Sequence, residues 1–341
     1  MIMKEVKRLI LVAAILCVVS ETLCCSQPTD KTSDEQRIKA VNILEKFAQN
    51  QNNFRSFILK EEETTKNKIS LSGNCKDKSG ERAKFEAREI AYDGDRIKKR
   101  TWSWGDVTSS EHIESREDAK YLSYLWDGSQ FMSYHIVNKS HPGYVKIEKR
   151  LEQAKVLGRQ MTPEGCIPGL SSITSTGERI DLLLKKMNNT WLLNEMEEIN
   201  TVKCYVIEAG DANDSYKVWI DPEHGYNIAK VASKIEIRGT RPETRVGSIK
   251  NVKFTQIGAI WIVKEVNVYG RSDYPNGDFM EADIHYKRIK VELNPDHKRL
   301  KSFAVENIRN GARVWYNESM LDAEYTWQDG KIIPKKVNLK K

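Results

Sequence analysis

The chain has 341 residues, of which 30% are charged; 55 Lys+Arg stand against 48 Asp+Glu, giving a formal net charge of +7. Acidic and basic residues are interspersed, and there is no arginine-rich block or nucleic-acid-binding module, which excludes a DNA- or RNA-binding role. No GxSxG elbow, HExxH, P-loop or GxGxxG occurs, so the sequence points away from an enzyme and from a bound cofactor.

The first 26 residues follow the order of a secretory signal. Lys4, Lys7 and Arg8 precede an uncharged apolar run, Leu9–Ser20, and the small residues Cys24-Cys25-Ser26 follow. The run is short for a membrane span, although an uncleaved anchor and lipidation at Cys25 remain open alternatives. The expectation is a mature chain starting near Ser26 or Gln27, periplasmic or otherwise extracytoplasmic. Cys75, Cys166 and Cys204 then remain, widely spaced and in no metal pattern. An oxidising compartment allows two of them to pair, and Cys204 reads equally well as a small buried hydrophobe.

A first helix is expected over 34–49. Ser33 and Gln36 sit at capping-box positions, and Ala40, Ile43, Leu44 and Phe47 share one face. Past Asn50 the period changes to two. Residues 85–104 read as a hairpin around Asp93-Gly94, and 121–136 as a second around Asp127-Gly128. Glu61-Glu62-Glu63 reads as a charged strand end. The stretch 148–190 interrupts the strands with Gly158, Pro163, Gly165, Pro168, Gly169 and Gly177. It closes with a helix over 176–188, capped by Ser175 and Glu178, whose Ile180, Leu183, Leu184 and Met187 share a face, with Leu182 on the other side. Strands resume at 191–199, 202–209, 216–220, 228–237, 249–257, 260–269 and 282–293. In the last, apolar parity switches near Lys287-Arg288, the mark of a bulge. Glu195, Glu197 and Glu198 read as a solvated face. A further stretch carries Phe303, Val305 and Ile308, then 323–333 turns at Asp329-Gly330. The six histidines, at 112, 135, 141, 224, 285 and 297, show no ligand spacing.

No βαβ rhythm appears. The expected fold class is α+β: a strongly curved antiparallel sheet, an unclosed half-barrel, wrapped around two helices. The organisation is a signal peptide (1–26), the half-barrel (33–316) with a helical insertion at about 148–190, and a C-terminal extension (317–341).

This order resembles the outer-membrane lipoprotein carrier superfamily, the LolA/LolB-like proteins. The matching pieces are Trp126-Asp127-Gly128 with Phe131 and Tyr134, the segment GLSSITSTGERIDLLLKKM at 169–187, and YKVWIDPEHGYNIAKVASKIE at 216–236. The last are Phe303-Ala304-Val305 and Asn310-Gly311-Ala312-Arg313-Val314. The chain departs from that family in its extra strands at 249–293 and its tail after Val314. The resemblance implies a non-catalytic, lipid-binding protein of the cell envelope that holds lipoprotein acyl chains or another apolar ligand between sheet and lid helix. Trp102, Trp104, Trp126, Leu183, Leu184, Met187 and Trp219 are the candidates to line its cavity, with ordinary core as the competing reading of each. The alternatives are an envelope sensor of the sigma-factor-regulator kind, binding a membrane-anchored partner, and a lipid-anchored structural protein of the envelope.

Overall fold

A computed structural model describes residues 30–72, 79–105, 120–136, 141–148, 178–316 and 325–334. The signal segment, Cys25, Cys75, Cys166, Ser175 and the glycine–proline stretch 158–177 lie outside the described residues.

Helix α1 (Asp30–Asn52) turns Ala40, Ile43, Leu44 and Phe47 into the core. It starts at Asp30, so Ser33 lies inside it and is not its cap. Four connecting residues, 53–56, then lead to β1 (Phe57–Ser70), and a meander follows: β2 (Gly80–Tyr92), β3 (Ile97–Gly105), β4 (Lys120–Trp126), β5 (Phe131–Ile136) and β6 (Tyr144–Glu148). The two Asp-Gly turns fall where expected. Gly94 and Gly128 have φ of 92° and 96°, a backbone region that glycine enters without steric penalty.

Helix α2 (Ile180–Lys186) is shorter than expected. Arg179 stands at its N-cap without a side-chain cap hydrogen bond, and Glu178 pairs with Lys186, so the expected Ser175–Glu178 capping box does not start the helix. The second meander is β7 (Asn189–Leu192), β8 (Glu197–Ile199), β9 (Val202–Gly210), β10 (Asp214–Asp221), β11 (Asn227–Ile237), β12 (Glu243–Ile257), β13 (Ile260–Asp273) and β14 (Phe279–Leu293). Three short strands come last among the described residues: β15 (Arg313–Tyr316), β16 (Tyr325–Gln328) and β17 (Lys331–Pro334).

β1 sits at the middle of one curved, unclosed sheet. β2 pairs on one flank and β14 on the other, both antiparallel. From β2 the sheet continues in chain order to β6, and from β14 it runs backwards to β9, which β7 and β8 border. β15 adds to β6 in parallel, and the β16–β17 hairpin extends that edge. The expected bulge is present: Lys60 faces Lys290 while Glu61 faces Arg288, which leaves Ile289 unpaired. This extra residue keeps Val291 and Leu293 on the same face as Ile284 and Tyr286.

The two faces bury different halves. On the inner face α1 and α2 cover β9–β14, in a core with Ile207, Val218, Val231, Ile249, Val263 and Val266. On the outer face a second core holds Tyr121, Tyr134, Ile136, Val145, Ile147, Val314 and Trp327. The connection from β14 to β15, residues 294–312, crosses that outer face. His297 meets Ser56 and the Tyr92 carbonyl, Lys98 donates to the Ala304 carbonyl at 2.6 Å, and the Tyr134 hydroxyl accepts the Arg309 N–H. The expectation of helices on one side of a single sheet therefore holds, and a crossing segment supplies a second cover on the other side.

Candidate ligand cavity

On a strand, side chains alternate between faces, and cross-strand partners share one. Across β1, β14, β13, β12 and β11 one inner-face row reads Asn67, Ala282, Gly270, Gly247, Ser233. The row on one side is aliphatic: Ile284, Val268, Ile249, Val231. The row on the other side is Ile69, Met280, Ser272, Arg245, Ile235. Small residues between taller walls leave a trough of about 400 Å³, lined mostly from these three rows, with Val246, Arg271 and Glu281 of the intervening row also at its lining. Gly270 has no positive φ, and a Cβ built on it meets nothing within 4 Å. Its missing side chain therefore serves no backbone requirement; it leaves space. Met280, at the rim, is 45% exposed.

Beside the trough on the same face, a belt of charged residues crosses β1, β2, β3 and β14. Arg88 pairs with Glu63 and Glu86 and lies 3.6 Å from Glu61. Arg288 lies 3.9 Å from Glu61 and donates to the Val263 carbonyl at 3.0 Å, and Thr65 donates to Glu63 at 2.8 Å. Burial opposes the charge on Arg88, but three carboxylates outweigh it and hold the guanidinium more firmly protonated than usual. Burial also works against ionisation of Glu86, and Arg88 and Lys84 overcome it, so its carboxyl titrates below its ordinary value. Lys99, on the inner face of β3, is pulled down by burial.

The seven expected lining residues separate. Leu183, Leu184 and Met187 are buried on the inner face, in the core that also holds Val268 and Ile235 of the trough walls. Trp126 is an inner-face residue of β4, four strands from β14 and beyond the charged belt. Trp102 and Trp104 point the other way, against Tyr121 and Phe85. Trp219 also lies on the outer face, packed with Cys204 and Val206 and donating its Nε1–H to Glu197 at 2.7 Å. These three cannot line a cavity under α2, because strand parity sends them to the opposite side. None of the seven lines the trough. Glu197, expected in a solvated face, is held by Trp219 and Lys217. Glu61 and Glu63, expected at a strand end, are buried in mid-strand.

The residues the sequence reading missed had a signal. Gly247 and Gly270 interrupt long alternating strands, and glycine inside a strand marks a close approach of backbone or ligand. Cys204 is a free, buried thiol, pushed up to about 12 by burial and then by Asp221 and Glu223. Among the described residues no helix is long and apolar enough to cross a membrane, and no group of three or more metal-ligating side chains is assembled.

No family model and no curated protein matches the chain. Among solved structures, a DUF1329 family protein from Desulfovibrio piger aligns over 79% of this chain and 99% of its own, at 10% identity and a TM-score of 0.35. MucB in complex with MucA(peri) aligns over 75% and 99%, at 8% identity and a TM-score of 0.23. The ywiB protein from Bacillus subtilis aligns over 67% and 92%, at 6% identity and a TM-score of 0.17. At these values the likeness carries no inference about ligand or partner.

Proposed function

We propose that this is an extracytoplasmic, non-catalytic binding protein that holds an apolar or lipidated ligand in the trough on the inner face of β11–β14. The observation that carries the reading is the row Ala282, Gly270, Gly247, Ser233, where four strands forgo large side chains beside a packed apolar core. A sheet that served only as scaffold gains by filling such space, since each buried methylene contributes about 0.8 kcal/mol. At ~30 Å³ per water-sized group, about 400 Å³ takes roughly a dozen methylenes. Burying them brings on the order of 10 kcal/mol before the costs of association. Export is supported by the basic, apolar, small-residue order of residues 1–26. The polar groups of the described lining are Asn67, Ser233, Ser272, Arg245, Arg271 and Glu281, the last two paired with each other at 3.1 Å.

Native mass spectrometry of the exported protein tests the reading. The expected spectrum shows a lipid-sized adduct on the wild type, lost in Gly270→Leu, which fills the trough from an unstrained position. A wild type that emerges free of adduct and binds no added alkyl chain refutes it.

A further inference from the structure

The trough has two unlike ends, and the difference names its ligand more closely. We propose that it selects single-chain amphiphiles with an anionic head, a carboxylate or a phosphate monoester, with the head on the Arg245 guanidinium; this rests on the apolar-trough reading above. The far wall, Ile284 and Val268, is aliphatic, and its row continues through Ile249 and Val231 in the helix-covered core. The near wall holds Arg245 opposite Ser272 on one strand and Ile235 on the other, with Met280 exposed beyond. Charge and hydroxyl therefore sit on the open side and hydrocarbon on the closed side, the polarity of an amphiphile entering tail first.

Arg245 is also held in place. Its Nη2 pairs with Glu243, two residues before it on the same face, and the Glu243 side chain is only 8% exposed. Tyr274 sits against the same carboxylate: burial and then Glu243 push its hydroxyl's titration up. A guanidinium has five N–H donors in a planar fork. Glu243 engages the Nη2 corner, which leaves the Nε and Nη1 donors for a ligand. Arg241, exposed on the adjoining loop, adds a second cation near Tyr274. The other charged lining residues, Arg271 and Glu281, pair with each other at 3.1 Å, and Arg271 also lies 2.8 Å from Asp273 outside the lining. A hydrogen bond to a charged group is worth enough to separate two otherwise identical chains by about tenfold or more.

Isothermal titration of the full mature chain with dodecanoate, dodecyl phosphate, dodecanol and dodecyltrimethylammonium, below their micelle concentrations, tests this. Both acids are expected to bind at least about tenfold tighter than the alcohol, and the cation weakest. A larger gain for one acid identifies the head as carboxylate or phosphate. Arg245→Gln is expected to keep alcohol binding while bringing the acids down to it, and Arg245→Lys to retain part of the preference. Acid and alcohol binding equally to the wild type, or a preference that survives Arg245→Gln, overturns the head-group assignment and leaves the apolar trough standing. No binding of any chain to the wild type removes the trough reading itself. Unchanged melting of Arg245→Gln confirms that a lost preference is not a lost fold.

Discussion

Helix α2 was expected to behave as a lid over the ligand, and its burial now sets what opening would require. Ile180, Leu183, Leu184 and Met187 are all in the inner core, Ile180 and Leu184 at 0% exposure. Exposing four such side chains costs about 1.5–3 kcal/mol each, roughly 6–12 kcal/mol together. The stability of a whole domain is about 5–15 kcal/mol. Thr190 adds to this by donating to the Leu184 carbonyl at 2.6 Å, which ties the end of the helix to β7. The Arg179 side chain reaches Asn52 of α1 and, through two contacts, the buried Asp181. Swinging α2 away alone is thus nearly as costly as unfolding the sheet beneath it. We expect Leu184→Ala to lower stability by about 2–5 kcal/mol. At about 2–4 °C per kcal/mol for a chain of this order of size, the melting temperature falls by roughly 4–20 °C. Hydrogen exchange should place the amides of residues 184–187 in the same slow class as Cys204 and Val206 of β9. Amides in α2 that exchange orders of magnitude faster than β9, with melting of Leu184→Ala unchanged, would show that α2 opens on its own and that the burial argument fails.

Three other perturbations follow from contacts described above or beside them. Asn227, fully buried at the start of β11, donates to the carbonyls of His224 (2.7 Å) and Trp261 (3.0 Å) and accepts from Asn50 and Gln51 at the end of α1. Asn227→Leu strands several of these groups and should cost roughly 2–4 kcal/mol in urea denaturation; a change below about 1 kcal/mol would mean the partners find others. Thr201 has φ of 71°, a conformation that β-branched residues rarely adopt, in the tight turn between β8 and β9. Thr201→Gly should raise the urea midpoint by an amount worth about 1 kcal/mol, and a loss of stability would refute the strain. Finally, the lowered Glu86 carboxyl links folding to pH. A depressed folded value means its stabilisation is complete above the unfolded carboxylate value of about 4.3 and is lost as pH falls through the folded one. Urea midpoints should therefore stay level from this group between about pH 5 and 8 and drop below about pH 4. In Glu86→Gln that part of the acid drop should be missing.

Much of the fold was legible because its signals are local. Asp-Gly pairs mark turns wherever they flank alternating residues, and Asp93-Gly94 and Asp127-Gly128 both form them. The parity switch in 282–293 marked a bulge to within a residue or two of Ile289. What was not legible depends on pairing between distant strands. Trp102, Trp104 and Trp219 are cavity candidates under the family resemblance, yet each side chain's face is fixed by registers that only the assembled sheet defines. The Glu61-Glu62-Glu63 run reads as a charged strand end because its partners, Arg88 and Arg288, lie 25 or more positions away. Ser33 and Ser175 have the chemistry of caps, but helix boundaries are the least determined feature of a sequence.

The charged belt follows from the way the sheet changes its covered side. Strands β9–β14 bury their inner face under the helices, while β4–β6 and β15 bury their outer face under residues 294–312. β1 and β2 lie where the cover passes from one side to the other, so neither an apolar nor a polar inner face suits them. Alternation gives β1 the inward residues Leu59, Glu61, Glu63, Thr65 and Asn67 in sequence. Leu59 joins an apolar cluster with Phe54, Phe57 and Ile262, Asn67 borders the trough, and the two glutamates between them require cations on both neighbouring strands. Arg88 on β2 and Arg288 on β14 are those cations. Buried ion pairs of this kind rarely add net stability over apolar packing, but leaving one partner unpaired is strongly destabilising. Slipping β14 by one residue would turn Arg288 to the outer face and leave Glu61 without it, along with every apolar side chain of that strand. The belt therefore fixes the register of the pair on which both meanders hang, and with it the alignment of Ala282 with Gly270 that opens the trough.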